Sequence, residues 1–191
     1  MDHPLPKAEL LARLSASRAE LESVLSHVPT ERMTEPGACG SWSVKDVLAH
    51  LAVENDWLAL QLERRARGEV PGSEELQRVE ELGLADNQTR NTYYAQLHKD
   101  LDLASVRDWD RRAHARLLTA LAVLPESRLQ EPDWWTSGRA LGSVLHGHHD
   151  REHAQDIQRW LGHNPNVSPN EGEGGYCPTR WRIIQTSRPI A

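Results

Sequence analysis

The sequence predicts an all-α protein, more specifically a four-helix bundle with an irregular C-terminal tail. Three observations support this prediction. Apolar residues recur at steps of three, four and seven, which is the spacing of one helix face. Capping residues and prolines bound the periodic segments, and the segments between them are rich in Pro and Gly. The length of 191 residues suits one domain with a substantial core.

The first two helices have clear boundaries. The first spans about 6–27, since Pro6 suits an opening turn and apolar positions repeat along one face. A loop at 29–41 follows, with two prolines and two glycines. Ser43 is suited to be the N-cap of the second helix, because Asp46 three residues later can complete a capping box. Gly68 is suited to end that helix.

The second half of the bundle is less regular. Residues 84–124 contain neither Gly nor Pro. One helix of that length would extend about 60 Å, which exceeds its partners, so we expect a break near Asp102–Ser105. The last helix is predicted over about Arg139–Leu161. Residues 1–162 are therefore expected to form the bundle, and 163–191 a C-terminal extension that is packed on it or partly disordered.

Composition excludes several classes of protein. The 22 basic and 28 acidic side chains leave a net charge of −6, which argues against a nucleic-acid partner. The longest nearly apolar run, Leu117–Leu124, is far shorter than the ~20 residues of a membrane span, and no export signal is visible. Cys39 and Cys177 are too few for a disulfide framework. As two lone thiols they are typical of a reducing compartment, so a cytoplasmic protein is expected.

Ten histidines direct the search for chemistry to imidazole. His149 and His153 occupy a stripe of the predicted last helix that is otherwise apolar, with Leu141, Leu145, Ile157 and Leu161. Two imidazoles four residues apart share one helix face and can reach one metal ion. Burying them unpaired is costly. A metal site is therefore predicted, with a pair of hydrogen-bonded core histidines as the alternative.

His50 is the candidate third ligand. It lies on the second helix, on a stripe with Glu54 and Trp57, and it faces His149 and His153 if the two helices are neighbours. Three protein ligands with positions left for water describe a catalytic site. Glu54 is a candidate to orient a ligand imidazole by accepting its ring N–H, or to act as a general base, with a solvated glutamate as the alternative.

Other polar residues are interpreted as solvated. His114 is expected to lie in solvent near a helix end or on a mixed face. Asp150 and Glu152 are expected to point away from the inner stripe. His148 also lies off the stripe, and it is the one histidine that would replace His149 if the helix were rotated.

Two segments carry a family resemblance. GSWSVKDVLAHL at 40–51 resembles the Trp-Ser/Thr-x-x-(Asp/Glu)-x-x-x-His signature of the DinB-like (YfiT-like) superfamily of bacterial four-helix-bundle proteins. HHDREHAQDIQRWLG at 148–162 is similar to the His-x-x-x-His-x-x-Gln-Ile motif on the last helix of that superfamily. The motifs occur in the expected order, and the resemblance covers about 6–162.

The resemblance implies a divalent metal ion, usually zinc or nickel, on His50, His149 and His153. It also implies that Gln155 and Asp156 help shape the last helix. Members of the superfamily include transferases and isomerases that use a low-molecular-weight thiol such as mycothiol, bacillithiol or glutathione. They commonly form homodimers, for which exposed apolar residues such as Leu58 or Leu62 would serve.

We therefore expect a metal-dependent enzyme, a thiol-dependent S-transferase, isomerase or hydrolase acting on a small electrophile. The alternatives are a non-catalytic stress-response or dimerisation module with a structural or vestigial metal site, and a metal-free hydrolase. A substrate pocket walled by tryptophans and one cation is expected, with simple packing as the alternative, and its candidate residues are Trp42, Trp57, Trp134, Trp135 and Arg139.

Overall fold

The computed structural model describes residues 5–69, 81, 87–132, 140–143, 145 and 148–162. Within these residues the chain is all-helical and holds no β-strand, so the predicted fold class is confirmed. Five α-helices lie there: α1 (Lys7–Leu25), α2 (Val44–Ala66), α3 (Asn87–His98), α4 (Leu103–Val123) and α5 (His149–Gly162). Short 3-10 turns occur at Thr30–Arg32, Glu126–Gln130 and Leu141–Ser143. No helix in the described part of the chain is long and apolar enough to span a membrane.

The ends of α2 follow the sequence prediction. The Ser43 backbone N–H donates to Asp46 Oδ2 at 2.9 Å, and the Asp46 backbone N–H donates to Ser43 Oγ at 3.2 Å, which completes the predicted capping box. At the other end Gly68 has a φ of 75°, a left-handed conformation that glycine adopts without strain. These two signals fix the helix that carries His50.

The predicted break in the 84–124 segment is confirmed. The chain leaves helical geometry at 99–102, and Asp102 becomes the N-cap of α4 by accepting a hydrogen bond from the Ser105 backbone N–H at 2.8 Å. Lys45 Nζ donates to the Leu101 carbonyl at 3.0 Å, so α2 holds the turn between α3 and α4.

The prediction for the last helix is wrong at its start. Regular α-helix begins at His149, about ten residues later than predicted, and Leu141–Ser143 is only a short 3-10 turn. Gly142 lies in that turn and Gly147 lies between the turn and His149, and each glycine disfavours helix by about 1 kcal/mol relative to alanine. Leu145 is buried although no regular helix carries it. His149 and His153 therefore lie on a helix of 14 residues, which is shorter than predicted but ends at Gly162 as predicted.

Two apolar clusters form the described core. The first joins the C-terminal half of α1, the N-terminal half of α2 and α5, and its buried members are Leu21, Leu25, Val28, Met33, Ala38, Cys39, Val44, Val47, Leu48, Ala49, Leu51, Val106, Ala154 and Ile157. The second joins the start of α1 with the C-terminal halves of α2 and α4, and its buried members are Leu10, Leu58, Ala59, Leu62, Leu117, Ala120, Leu121, Leu124, Leu129, Leu141 and Leu145.

The second cluster corrects the predicted dimer surface. Leu58 and Leu62 are 3% and 0% exposed, because this face of α2 packs in the core, so neither residue is available for an interface. A homodimer remains a prediction that these two residues do not support.

Buried polar residues lie between the two apolar clusters. On α1 they fall between Leu10 and Leu21, and on α4 between Val106 and Leu117. We call this set the polar layer; its members are Ser17, Arg18, His50, Glu54, Asn55, Asp110, His114, His149, Asp150 and His153. The candidate site belongs to this layer.

Candidate metal centre

The structure brings the three predicted histidines together. One ring nitrogen from each of His50, His149 and His153 lies within 4.8 Å of the others. The Nε2 atoms of His50 and His149 are 3.0 Å apart. The ring centroid of His153 is 5.5 Å from that of His50 and 4.9 Å from that of His149. The triad thus combines one candidate ligand from α2 with two from the first two turns of α5.

All three histidines are buried: His50, His149 and His153 are 6%, 7% and 0% exposed. Burial, reinforced by the neighbouring histidines and at His50 also by the positive charge of Arg90, holds the pKa of His50 and of His149 well below the ordinary range of an imidazole. Both rings are therefore neutral at pH 7, which is the form that offers a nitrogen lone pair to a metal ion.

The spacing of His50 and His149 fits two ligands of one divalent ion. Nitrogen ligands lie about 2.1 Å from zinc, so two of them stand about 3.0 to 3.4 Å apart when they subtend roughly 90 to 110° at the ion. The 3.0 Å between His50 Nε2 and His149 Nε2 agrees with this range. Imidazole is also a donor that suits both zinc and nickel.

A second group of potential ligands adjoins the first. Cys39 Sγ, His153 and Asp156 have ligand atoms within 4.8 Å of one another. Cys39 is disulfide-bonded, however, so its sulfur is not a thiolate ligand and the prediction of two lone thiols is wrong for it. Cys177 lies outside the described residues. The triad is therefore the better candidate site.

Asp156 provides support for the triad from the same helix. Its Oδ2 lies 3.5 Å from His153 Nδ1, and its other oxygen pairs with Arg159. A carboxylate beside Nδ1 favours the tautomer with the proton on that atom, which leaves the lone pair on Nε2. The resemblance gave Asp156 a role in shaping the helix, and the structure adds this contact with a candidate ligand.

Glu54 is buried, with 7% of its surface exposed, so the alternative of a solvated glutamate is wrong. Burial raises the pKa of Glu54, while the positive charge of Arg90 opposes the shift. Arg90, on α3, is 8% exposed, and its charge also acts on His50. Arg90 was not among the predicted site residues, although it is the only Lys, Arg, Asp or Glu of α3.

Of the residues predicted to wall a substrate pocket, Trp42 lies beside the triad. The Trp42 ring centroid lies 5.2 Å from that of His50, and the half-buried indole flanks the triad. Trp57 packs against the second apolar cluster, which fits the packing alternative. Trp134, Trp135 and Arg139 lie outside the described residues.

Comparison with known proteins agrees with this architecture. Residues 14–158 match the family described as the mycothiol maleylpyruvate isomerase N-terminal domain. The chain belongs to this family. The family is DinB-like (YfiT-like), so the resemblance carried by the two sequence motifs is confirmed.

One solved structure supports the fold alone. The chain is similar to the crystal structure of an uncharacterised protein from Escherichia coli UTI89, with 19% identity and a TM-score of 0.64. The similarity covers 83% of this chain and 94% of the other. Among curated proteins, none matches this chain.

In this member of the mycothiol maleylpyruvate isomerase N-terminal domain family, two predictions about solvated residues are wrong. Asp150 and His114 are each 7% exposed. They are buried because α1 supplies Arg18, whose Nη1 lies 3.8 Å from Asp150 Oδ2, and His114 Nδ1 lies 3.7 Å from the same oxygen. Helical periodicity alone gives no signal for a partner on another helix. His148 is exposed, so it does not replace His149 in the triad.

Proposed function

We propose that this chain is a metal-dependent enzyme in which His50, His149 and His153 hold a divalent ion, with zinc or nickel expected first. One observation supports the proposal above all: three buried histidines from two helices meet within 4.8 Å. The family to which the chain belongs is described as the mycothiol maleylpyruvate isomerase N-terminal domain. We therefore propose a low-molecular-weight thiol as cosubstrate and a small electrophile as substrate, with the reaction an isomerisation, an S-transfer or a hydrolysis.

The chemistry follows from the donor set. An ion held by three neutral imidazoles keeps its positive charge and lowers the pKa of a thiol or water bound to it, which makes either nucleophilic near neutral pH. The protein residues supply the rest. The Trp42 indole shields one side of the site from water. Glu54, one turn from His50 on α2, is the candidate general base, because burial raises the pKa of its carboxyl. The nearby charge of Arg90 favours an anionic substrate.

Metal analysis of three proteins tests the proposal. The wild type, His153→Ala and His148→Ala are purified and analysed for metal, with far-UV circular dichroism as the check of folding. We expect about one zinc or nickel ion per chain in the wild type and in His148→Ala, whose exposed ring is the matched control. His153→Ala should lose the ion and remain helical. Stoichiometric metal in His153→Ala would count against the triad.

An activity screen then tests the reaction. Mycothiol, bacillithiol and glutathione are each combined with maleylpyruvate and with other small electrophiles, before and after chelation. Turnover that needs both the ion and one thiol supports the proposal, and such a thiol also favours a reducing, cytoplasmic setting. Full activity after chelation indicates a metal-free hydrolase. An inert protein that unfolds on chelation indicates a structural metal.

A further inference from the structure

His149 is the first residue of α5. Because α5 begins at His149, this candidate ligand lies in the first turn, where backbone N–H groups have no acceptor within the helix. Such a turn frays unless side chains cap it. What holds this turn therefore decides whether His149 is in place to meet His50 and His153.

Helix α1 supplies a cap for this turn. Ser17 Oγ accepts a hydrogen bond from the Arg151 backbone N–H at 2.9 Å, and Ser17 is 1% exposed. An N-cap side chain normally accepts such a hydrogen bond from the first turn of its own helix. Here the acceptor is a residue more than a hundred positions earlier in the chain. Glu20, one turn further along α1, accepts two hydrogen bonds from the Arg151 guanidinium at 2.7 and 2.8 Å.

Arg18 lies beside the residue that follows His149. Its guanidinium makes two hydrogen bonds to Asp110 on α4, one of 2.9 Å, and lies 3.8 Å from Asp150 Oδ2. Arg18 is 8% exposed, so its charge depends on these partners. Arg18 thus links α1 to α4 by hydrogen bonds and approaches the first turn of α5 at Asp150.

We propose that Ser17 is a positioning residue that, together with Arg18, keeps the first turn of α5 folded in the metal-free protein and so sets the affinity of the triad for its ion. The inference rests on the proposed function. If the turn frays, only the ordered fraction of molecules binds metal well, and the apparent dissociation constant rises by the inverse of that fraction.

Cobalt titration tests the inference. Co²⁺ is added to the metal-free wild type and to Ser17→Ala, Glu20→Gln and Ser15→Ala, and binding is followed by visible absorption with a competing chelator. Loss of a cap predicts a dissociation constant about fivefold higher for Ser17→Ala. Glu20→Gln removes only an exposed ion pair and should change it by less than about twofold. Ser15 is an exposed serine on the same helix, so Ser15→Ala should match the wild type.

Amide exchange separates positioning from general stability. In metal-free Ser17→Ala, the Arg151 amide should exchange faster while amides of α2 and α4 keep their protection. Equal cobalt affinity in Ser17→Ala and wild type overturns the inference and leaves the proposed function intact, and so does a weaker affinity without faster exchange at Arg151. If the wild type itself takes up no cobalt, the proposed function fails and the inference fails with it.

Discussion

Asp150 and His114 show how burial decides charge at the scale of single residues. Burial raises the pKa of Asp150 to about 7, with the positive charge of Arg18 opposing the shift. Burial also lowers the pKa of His114 to about 4, reinforced by the charge of Arg18. Both shifts are toward the uncharged forms, and the polar layer combines one close ion pair, Arg18 with Asp110, with a contact between Asp150 and His114.

The lowered pKa of His114 predicts a loss of stability in acid. Between about pH 6.5 and 4 the unfolded chain binds a proton on His114 that the folded protein does not bind, so the free energy of unfolding falls as the pH falls through this window. Relative to His114→Asn, the wild type should lose on the order of 3 kcal/mol by pH 4. Urea unfolding across this range measures the difference. Asp150, whose raised pKa acts in the opposite direction, is present in both proteins.

His27→Asn serves as the control, because His27 is exposed at the end of α1. Its urea unfolding is measured over the same pH range. A constant difference between wild type and His114→Asn from pH 7 to pH 4 would show that His114 is protonated in the folded state as readily as in the unfolded chain.

At the scale of elements, the capped starts of α2 and α5 position the candidate ligands. The capping box at Ser43 fixes the start of α2 two turns before His50, and the Ser17 contact fixes the start of α5 at His149. The first cap is local in sequence and the second reaches across the bundle. Both present side-chain oxygens to amides that would otherwise lack an acceptor.

Ser43→Ala should destabilise the protein through its helix cap. The substitution removes an acceptor from a residue that is 4% exposed, and such a loss typically costs about 1 kcal/mol. For a chain of this size that corresponds to a fall in Tm of about 2–4 °C. Calorimetry of Ser43→Ala beside Ser23→Ala, an exposed serine of α1, measures it. Equal melting temperatures for the two variants would contradict the role of the cap.

At the scale of the whole molecule, the core does not depend on the candidate metal centre. The two apolar clusters lie on either side of the polar layer and join α1, α2, α4 and α5 without contributing a candidate ligand. Burial of this apolar surface is the main source of stability. The arrangement suits an ion that can be removed without loss of the fold.

Chelation should therefore lower Tm modestly. An ion present at about a hundred times its dissociation constant adds about 2.7 kcal/mol, so its removal should lower Tm by about 5–10 °C. Far-UV circular dichroism at room temperature should stay unchanged. Loss of the helical spectrum on chelation would instead identify a structural metal, as in the non-catalytic alternative.

The sequence by itself determined the features that depend on neighbours along the chain. Helical periodicity, the capping box at Ser43, the break before Leu103 and the histidines four residues apart on one helix all follow from local contacts, whose geometry is the same in any helix. The family resemblance came from the same short segments. These signals were enough for the fold class and for the three candidate ligands.

Tertiary structure alone decided the rest. The burial of Glu54 and Asp150 and the approach of Arg90 and Arg18 depend on which helices are neighbours. Arg18 meets Asp110 across 92 positions of sequence, and no periodic pattern records a pairing at that separation. A buried charge is tolerated only where another element supplies its partner, so its place becomes visible only once the helices are packed.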